Sequence, residues 1–84
     1  MELSEFNKIF ENEDTEWEGD NAIQGLLIIQ KYIPNKGIEA AEHDIIYSVS
    51  ADDLVEAGIT TEDAESLRKL NWMIYDGFYM ACFV

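Results

Sequence analysis

The chain has 84 residues, a formal net charge of −13 and 48% hydrophobic residues, and this combination excludes several classes of protein. The length is enough for one domain with a small core, while two Trp, four Tyr and four Phe are too many for a disordered acidic chain. A single cysteine and a single histidine exclude an internal disulfide and a Cys/His zinc site.

The N-terminal residues and the composition predict a cytoplasmic protein. The first residues, Met-Glu-Leu-Ser-Glu, lack the basic and apolar stretches of a signal peptide. No apolar run approaches the ~20 residues of a membrane-spanning helix, and anionic lipids would repel so acidic a chain. We therefore expect neither secretion nor membrane association, and a reducing cytoplasm is the expected compartment.

The first part of the chain is predicted to hold two helices separated by an acidic loop. Ser4 is the expected cap of a short helix that ends at Phe10. Residues 11–20 contain six acids without periodicity, which indicates a loop. Asp20 is the expected cap of a second helix over residues 21–32.

The second helix is predicted to be central and broadly apolar. It should end before Pro34, because the residue before a proline avoids helical conformation. At 100° per residue, Ile28 and Tyr32 fall on its polar side, which the N-terminal helix is expected to cover. The expected core-facing residues are Ala22, Ile23, Leu26, Leu27, Ile29 and Ile33.

Residues 38–49 are predicted to form one strand, because apolar and polar residues alternate along them. The expected apolar face holds Ala41, His43, Ile45, Tyr47 and Val49, and the expected opposite face holds Glu42, Asp44, Ile46 and Ser48.

Two short helices and a hairpin are predicted to follow. Ser50 is the expected cap of a helix that ends at Gly58, and Thr61 is the expected cap of a helix over residues 62–70. Asp-Gly at positions 76–77, between two apolar stretches, predicts a two-residue type I′ turn.

Both faces of the predicted hairpin are apolar. Either helices cover the sheet on both sides, or one face stays exposed and binds a partner or a second copy. We favour coverage of one face and partial exposure of the other. With a two-residue loop, one face holds Met73, Tyr75, Phe78, Met80, Cys82 and Val84, and the other holds Trp72, Ile74, Tyr79, Ala81 and Phe83.

These elements predict an α+β fold in which helices pack on an antiparallel sheet of about three strands, in the order α-α-β-α-α-β-β. A single domain is expected, with an acidic helix and loop over residues 1–20 and a compact core over residues 21–84. From residue 21 the order is that of a winged helix, but acids occupy the helix that would enter a DNA groove, where a DNA-binding protein needs Lys or Arg. Direct nucleic-acid binding is therefore not expected.

No metal site, cofactor or catalytic residue is predicted. Asp14, Glu16, Glu18 and Gly19 resemble the start of an EF-hand loop, but the twelfth position, which requires a bidentate Glu, falls on Gly25. A solvated acidic loop is the better interpretation.

A catalytic histidine is also disfavoured. His43 lies between Glu42 and Asp44, yet neighbours on a strand point to opposite faces, which favours a structural histidine. Ser48, Ser50 and Cys82 lack a plausible base or an activating environment.

The charge is concentrated in blocks. Residues 1–20 carry net −7, and residues 38–66 carry nine acids without a single Lys or Arg. Net charge beyond ~8 exceeds what solubility requires of a small domain, and alternate residues of an extended loop lie ~6.6–6.8 Å apart, similar to successive phosphates. We therefore favour a functional acidic surface over plain solvation. The predicted partner-binding residues are Glu11, Glu13, Asp14, Glu16, Glu18, Asp20, Glu39, Glu42, Asp44, Asp52, Asp53, Glu56, Glu62, Asp63 and Glu65.

In size, charge and style, the whole chain resembles the phage-encoded anti-CRISPR and anti-restriction proteins that mimic nucleic acid. The segments Glu-His-Asp-Ile-Ile-Tyr, Leu-Asn-Trp and Ala-Cys-Phe-Val are also similar to stretches of small phage and bacterial proteins. The resemblance implies an inhibitor whose carboxylates dock on the basic channel of a CRISPR complex and exclude DNA. Trp17, Tyr79 and Phe83 are the candidate apolar anchors.

Two other classes of function remain open on the sequence. A regulatory adaptor or antitoxin-like protein would bind one basic partner through the apolar hairpin, and its complex would survive high salt. Whichever class applies, we expect the protein itself to be a monomer or weak homodimer. An enzyme is the third candidate, and it would require a saturable activity that His43→Ala removes.

Overall fold

A computed structural model describes all 84 residues, Met1–Val84, as four helices and a four-stranded antiparallel sheet. The predicted α+β class is confirmed, but the sheet has one strand more than the expected three, in the spatial order β1-β2-β4-β3. The helices are α1 (Leu3–Ile9), α2 (Asn21–Tyr32), α3 (Ala51–Glu56) and α4 (Thr61–Lys69). The strands are β1 (Ala40–Glu42), β2 (Ile45–Ser50), β3 (Met73–Tyr75) and β4 (Tyr79–Phe83).

The helix caps are close to those predicted, with two differences. Asp20 caps α2 by accepting a hydrogen bond from the amide of Ile23 at 3.1 Å, and Ser50 caps α3 through the amide of Asp53. The cap of α4 is Thr60, one residue earlier than predicted. Ser4 does not cap α1 but lies within it, because α1 begins at Leu3.

The buried face of α2 differs from the predicted one. Ile23 and Leu27 are 56% and 60% exposed, whereas Gly25 is buried against the indole of Trp72. A Cβ atom on Gly25 would lie 1.9 Å from Nε1 of Trp72, and that nitrogen donates to the carbonyl of Asn21 at 3.0 Å. The contact face is therefore centred on a glycine, which a count of apolar side chains does not register.

The N-terminal helix belongs to the same core as the sheet. Phe6 is fully buried in one cluster with Leu54, Leu67 and Met80. The main contacts of α1 are with α3 and α4, so it does not chiefly cover α2 as predicted.

The prediction of a single strand over residues 38–49 is wrong. The chain forms the β1–β2 hairpin instead, with a turn at His43, whose φ is +55° and whose side chain is 86% exposed. Ile46 and Ser48, predicted on the outer face, are buried. Ile46 pairs with Cys82 on β4 and so faces the helices.

A β-bulge explains why alternation fails at the end of β2. The pairing passes from Tyr47↔Ala81 to Ser50↔Tyr79, so β2 contains one extra residue. Ser48 and Val49 are consequently both buried. The Ser48 hydroxyl donates to the carbonyl of Gly37 at 2.5 Å, which satisfies it in the core.

The C-terminal hairpin forms, but its register is shifted by one residue from the prediction. Asp76 and Gly77 have φ of +55° and +68°, as a type I′ turn requires. Tyr75 pairs with Tyr79, so the residue between turn and strand, Phe78, is an extra loop residue. Its carbonyl accepts a hydrogen bond from the amide of Ala51, which joins the loop to the start of α3.

The two faces of the sheet have different environments. The shifted register places Ile74 with Met80 and Cys82 on the face that the helices cover. The opposite face carries Tyr75 and Tyr79, which are 42% and 48% exposed. The preferred arrangement, with one face covered and the other partly exposed, is the one observed. No helix combines the length and hydropathy needed to cross a membrane.

Candidate functional site

The acidic loop, residues 11–20, lies on the surface and its backbone is fixed to α4. The carbonyl of Asp14 accepts a hydrogen bond from the guanidinium of Arg68 at 2.5 Å, and the amide of Glu16 donates to the carbonyl of Lys69 at 2.8 Å. Arg68 is buried, with only 8% of its surface exposed. Gln24 of α2 also donates to the carbonyl of Glu18 at 2.6 Å. The loop therefore has no regular secondary structure, yet neighbouring elements define its path.

The side chains of this loop remain free. Only Asp20 uses its carboxylate within the protein, as the cap of α2, and none of the loop acids forms an ion pair. Trp17 lies among them and is 41% exposed. The exposed loop acids of the predicted surface are Glu11, Glu13, Asp14, Glu16, Glu18 and Asp20.

A second group of predicted acids lies at the β1 edge of the sheet. Glu42 is the last residue of β1 and Asp44 lies in the turn before β2, while Glu39 precedes β1. All three are exposed. Glu39 has a partner, since its Oε1 lies 3.2 Å from Nζ of Lys36, and Glu42 Oε1 lies 3.9 Å from the imidazole of His43.

The remaining predicted acids belong to α3 and α4. Asp63 differs from the others because its carboxylate already has internal donors, the ammonium of Lys31 at 2.6 Å and the hydroxyl of Tyr32. The hydrogen bond from Lys31, followed by that from Tyr32, lowers the pKa of Asp63 below its usual value of 3.8. Through these two hydrogen bonds, the Asp63 carboxylate links α4 to α2. The exposed acids on these helices are Asp52, Asp53, Glu56, Glu62 and Glu65.

Very little of the negative charge is neutralised within the protein. Of the 18 carboxylates, three form ion pairs, one of them with a histidine. Arg68, the most buried basic residue, donates to a backbone carbonyl and leaves the acids of the loop unpaired. The surface consequently keeps a strong negative field that a cationic partner would relieve.

The open face of the sheet contains a cleft that sequence analysis did not predict. We call it the tyrosine cleft. Its volume is about 390 Å³, and its seven lining residues are Glu39, Ala40, Tyr47, Ser48, Tyr75, Asp76 and Tyr79.

The contact between two of the cleft's aromatic rings depends on strand register. Tyr47, Ala81 and Met73 lie side by side across β2, β4 and β3. Because Ala81 is small, the ring of Tyr47 reaches that of Tyr75 across it, with centroids 5.3 Å apart and planes at 75°. Burial, followed by the neighbouring Tyr75, raises the pKa of Tyr47 above its usual 10.0.

The residues considered for catalysis or metal binding do not converge. His43 projects into solvent from a turn and not toward the apolar side of a strand, so its predicted placement is wrong. Cys82 is fully buried, and burial raises the pKa of its thiol. No three His, Cys, Asp or Glu side chains are grouped in a way that could hold a metal ion.

Sequence analysis missed two functional candidates for identifiable reasons. The rings of Tyr47 and Tyr75 meet only through the order β2-β4-β3, which local patterning does not specify. Arg68 lies in the last turn of α4, where a basic residue is common, and only the folding back of the acidic loop buries it and gives it the carbonyl of Asp14 as a partner.

Comparison with known proteins gives no relative for this chain. No family model matches it, and neither a curated protein nor a solved structure does.

Proposed function

We propose that this protein is a non-enzymatic inhibitor that presents carboxylates in place of nucleic-acid phosphates. It would occlude the basic DNA-binding channel of a bacterial defence complex, with a CRISPR effector as the preferred target. Its site of action would then be the cytoplasm of the host cell. One observation carries the proposal: the acidic loop is held in place by Arg68 and the end of α4, while its carboxylates have no basic partner.

Anchoring of the loop matters because it reduces the entropy lost on binding. A mobile acidic segment would have to be ordered by its partner, which weakens affinity. Here the hydrogen bonds from Arg68 and Gln24 fix the backbone in advance. Charge-assisted hydrogen bonds to arginines of the partner would then form at a lower entropic cost.

The mechanism is competition. Long-range attraction speeds the encounter with a basic channel, and contacts between carboxylates and Lys or Arg hold the complex. DNA that requires the same cations is excluded. Because these contacts are screened, inhibition should weaken as ionic strength rises.

The first experiment is capture of partners from a bacterial lysate by a tagged copy of the protein. Nuclease is added to remove bridging nucleic acid, and the washes cover a salt series. We expect recovery of one nucleic-acid-binding complex that is lost progressively as salt rises. A partner that persists at high salt, or none, would contradict the proposal.

A second candidate function rests on the open face of the sheet. Tyr79 and Phe83 are 48% and 47% exposed there, which suits an adaptor or antitoxin-like protein that binds a basic partner through its hairpin. Such a complex would owe its stability to apolar burial. It would therefore survive the high-salt washes that dissociate a charge mimic.

A further inference from the structure

The tyrosine cleft combines aromatic rings with carboxylates at its rim. Tyr47, Tyr75 and Tyr79 provide the rings, while Glu39 and Asp76 provide the acids. Tyr75 and Tyr79 are 42% and 48% exposed, although each already contacts one neighbouring ring, Tyr47 and Phe78 respectively. A cleft of this composition accepts a group that is both flat and cationic.

The charge of the rim excludes a second copy of this chain as the occupant. Each copy carries −13, and the carboxylates of Glu39 and Asp76 line the cleft itself. Joining two such faces would bring like charges together, which costs free energy in a partly desolvated interface. A cationic partner would gain from the same arrangement.

Among cations, the guanidinium group fits best. It is planar, stacks on tyrosine rings and loses less hydration than an ammonium group. Its fork of N–H donors can bind a carboxylate with two hydrogen bonds. Asp76 has no internal ion pair, whereas Glu39 shares its charge with Lys36 at 3.2 Å, so Asp76 is the better acceptor.

We propose that the tyrosine cleft binds an arginine side chain from the basic partner, stacked on Tyr75 and paired with Asp76. The inference rests on the proposed function for the identity of the partner, but its chemistry can be tested alone. It gives the protein a specific anchor in addition to the diffuse charge of the acidic loop. Recognition of arginine, and not of positive charge alone, follows from this geometry.

The test uses two peptides of equal charge, acetyl-Gly-Arg-Gly-Arg-Gly-amide and its lysine counterpart. Binding is followed by NMR through the ring signals of Tyr47, Tyr75 and Tyr79. We expect the arginine peptide to shift these signals and to bind about fivefold more tightly than the lysine peptide, because stacking adds to the ionic contact. Equal affinities, or shifts confined to residues 11–20, would overturn the inference.

Two variants and a control sharpen this test. Asp76→Asn removes the charge but suits a positive φ, and Tyr75→Leu removes the stacking surface. Each should abolish the preference for arginine. Phe83→Leu is the matched control, since Phe83 is similarly exposed on the same face but does not line the cleft. The indole signal of buried Trp72 reports whether each variant is folded.

The same variants separate this inference from the proposed function. If Tyr75→Leu captures the lysate partner as well as the unaltered protein does, the cleft inference fails while the proposed function stands. If the arginine peptide binds in the cleft but no basic nucleic-acid-binding complex is captured, the cleft inference stands and the proposed function fails.

Discussion

Reversal of charge in the acidic loop is the most direct test of the proposed function. The variant replaces Glu13, Asp14 and Glu16 with Lys. The side chains of all three are exposed and form no ion pair, and the anchoring hydrogen bonds at Asp14 and Glu16 come from backbone atoms that the substitutions keep. The change therefore alters the charge and leaves the fold in place.

The expected loss of affinity and the expected change in stability both follow from the exposure of these side chains. Each reversal changes the charge by two, so the net charge moves from −13 to −7. Loss of three charge-assisted contacts, at about 1 kcal/mol each, weakens binding to the partner by roughly a hundredfold. The free energy of unfolding should change by no more than about 0.5 kcal/mol, as for other exposed sites.

The assay is competition with DNA for the captured partner, measured at low and moderate salt. A variant with Lys at Glu2, Glu5, Gln30 and Asn35 is the control. All four positions are exposed and lie outside the predicted binding surface. Two charge reversals and two added charges give the same net charge of −7 with the loop intact. We expect the control to keep most of its inhibition. Undiminished inhibition by the loop variant would remove the loop from the mechanism, and equal loss in both variants would show that total charge, not the loop, determines binding.

Three further predictions concern what holds the surface in place. Gly25→Ala should destabilise the protein by about 2 kcal/mol in denaturant unfolding, because the added methyl overlaps the indole of Trp72 and outweighs the better helix propensity of alanine. Arg68→Met should speed hydrogen exchange in the acidic loop and cost about 2 kcal/mol, because the charged donor to the carbonyl of Asp14 is lost. Asp63→Asn should reduce the loss of unfolding free energy at acid pH. The pKa of Asp63 is lowered on folding, so its carboxylate stabilises the protein above the unfolded pKa, and this stabilisation is lost as pH falls below about 4.

Each of these predictions has a matched control at an exposed position. Gln30→Ala on α2 should change stability by less than about 0.5 kcal/mol, and a similar small effect in Gly25→Ala would refute the packing argument. Lys69→Met should leave hydrogen exchange in the acidic loop unaltered. If it had the same effect as Arg68→Met, the loss of one positive charge, and not of the hydrogen bond, would explain the faster exchange. Glu62→Gln should retain the pH profile of the unaltered protein, and an unchanged profile in Asp63→Asn would show that the carboxylate does not contribute.

Helix positions were largely predictable because their signals are local. A cap such as Asp20 or Ser50 satisfies amides only three residues away, and Pro34 restricts the residue before it. The Asp-Gly turn of the last hairpin has the same origin, since positive φ values are tolerated by few residues. These features depend on short-range sterics and hydrogen bonds that tertiary contacts do not override.

Strand faces were less predictable because they depend on register. A shift of one residue moves every side chain to the other face. The turn at His43, the bulge after Tyr47 and the extra loop residue Phe78 each introduce such a shift. None of them has a distinct local signal. The prediction of the buried face of α2 failed for a related reason. Gly25 lies at the centre of that face because the indole of Trp72 packs on it, and this contact joins residues distant along the chain.

The sequence by itself determined the α+β class, the caps Asp20 and Ser50 and the excess of negative charge, because composition and local hydrogen bonding suffice for them. Only the tertiary structure decided which charges are free and which are engaged, as in the contrast between Asp14 and Asp63. It also decided that Tyr47 and Tyr75 meet over Ala81. Both results depend on long-range packing, which brings together residues that are distant along the chain.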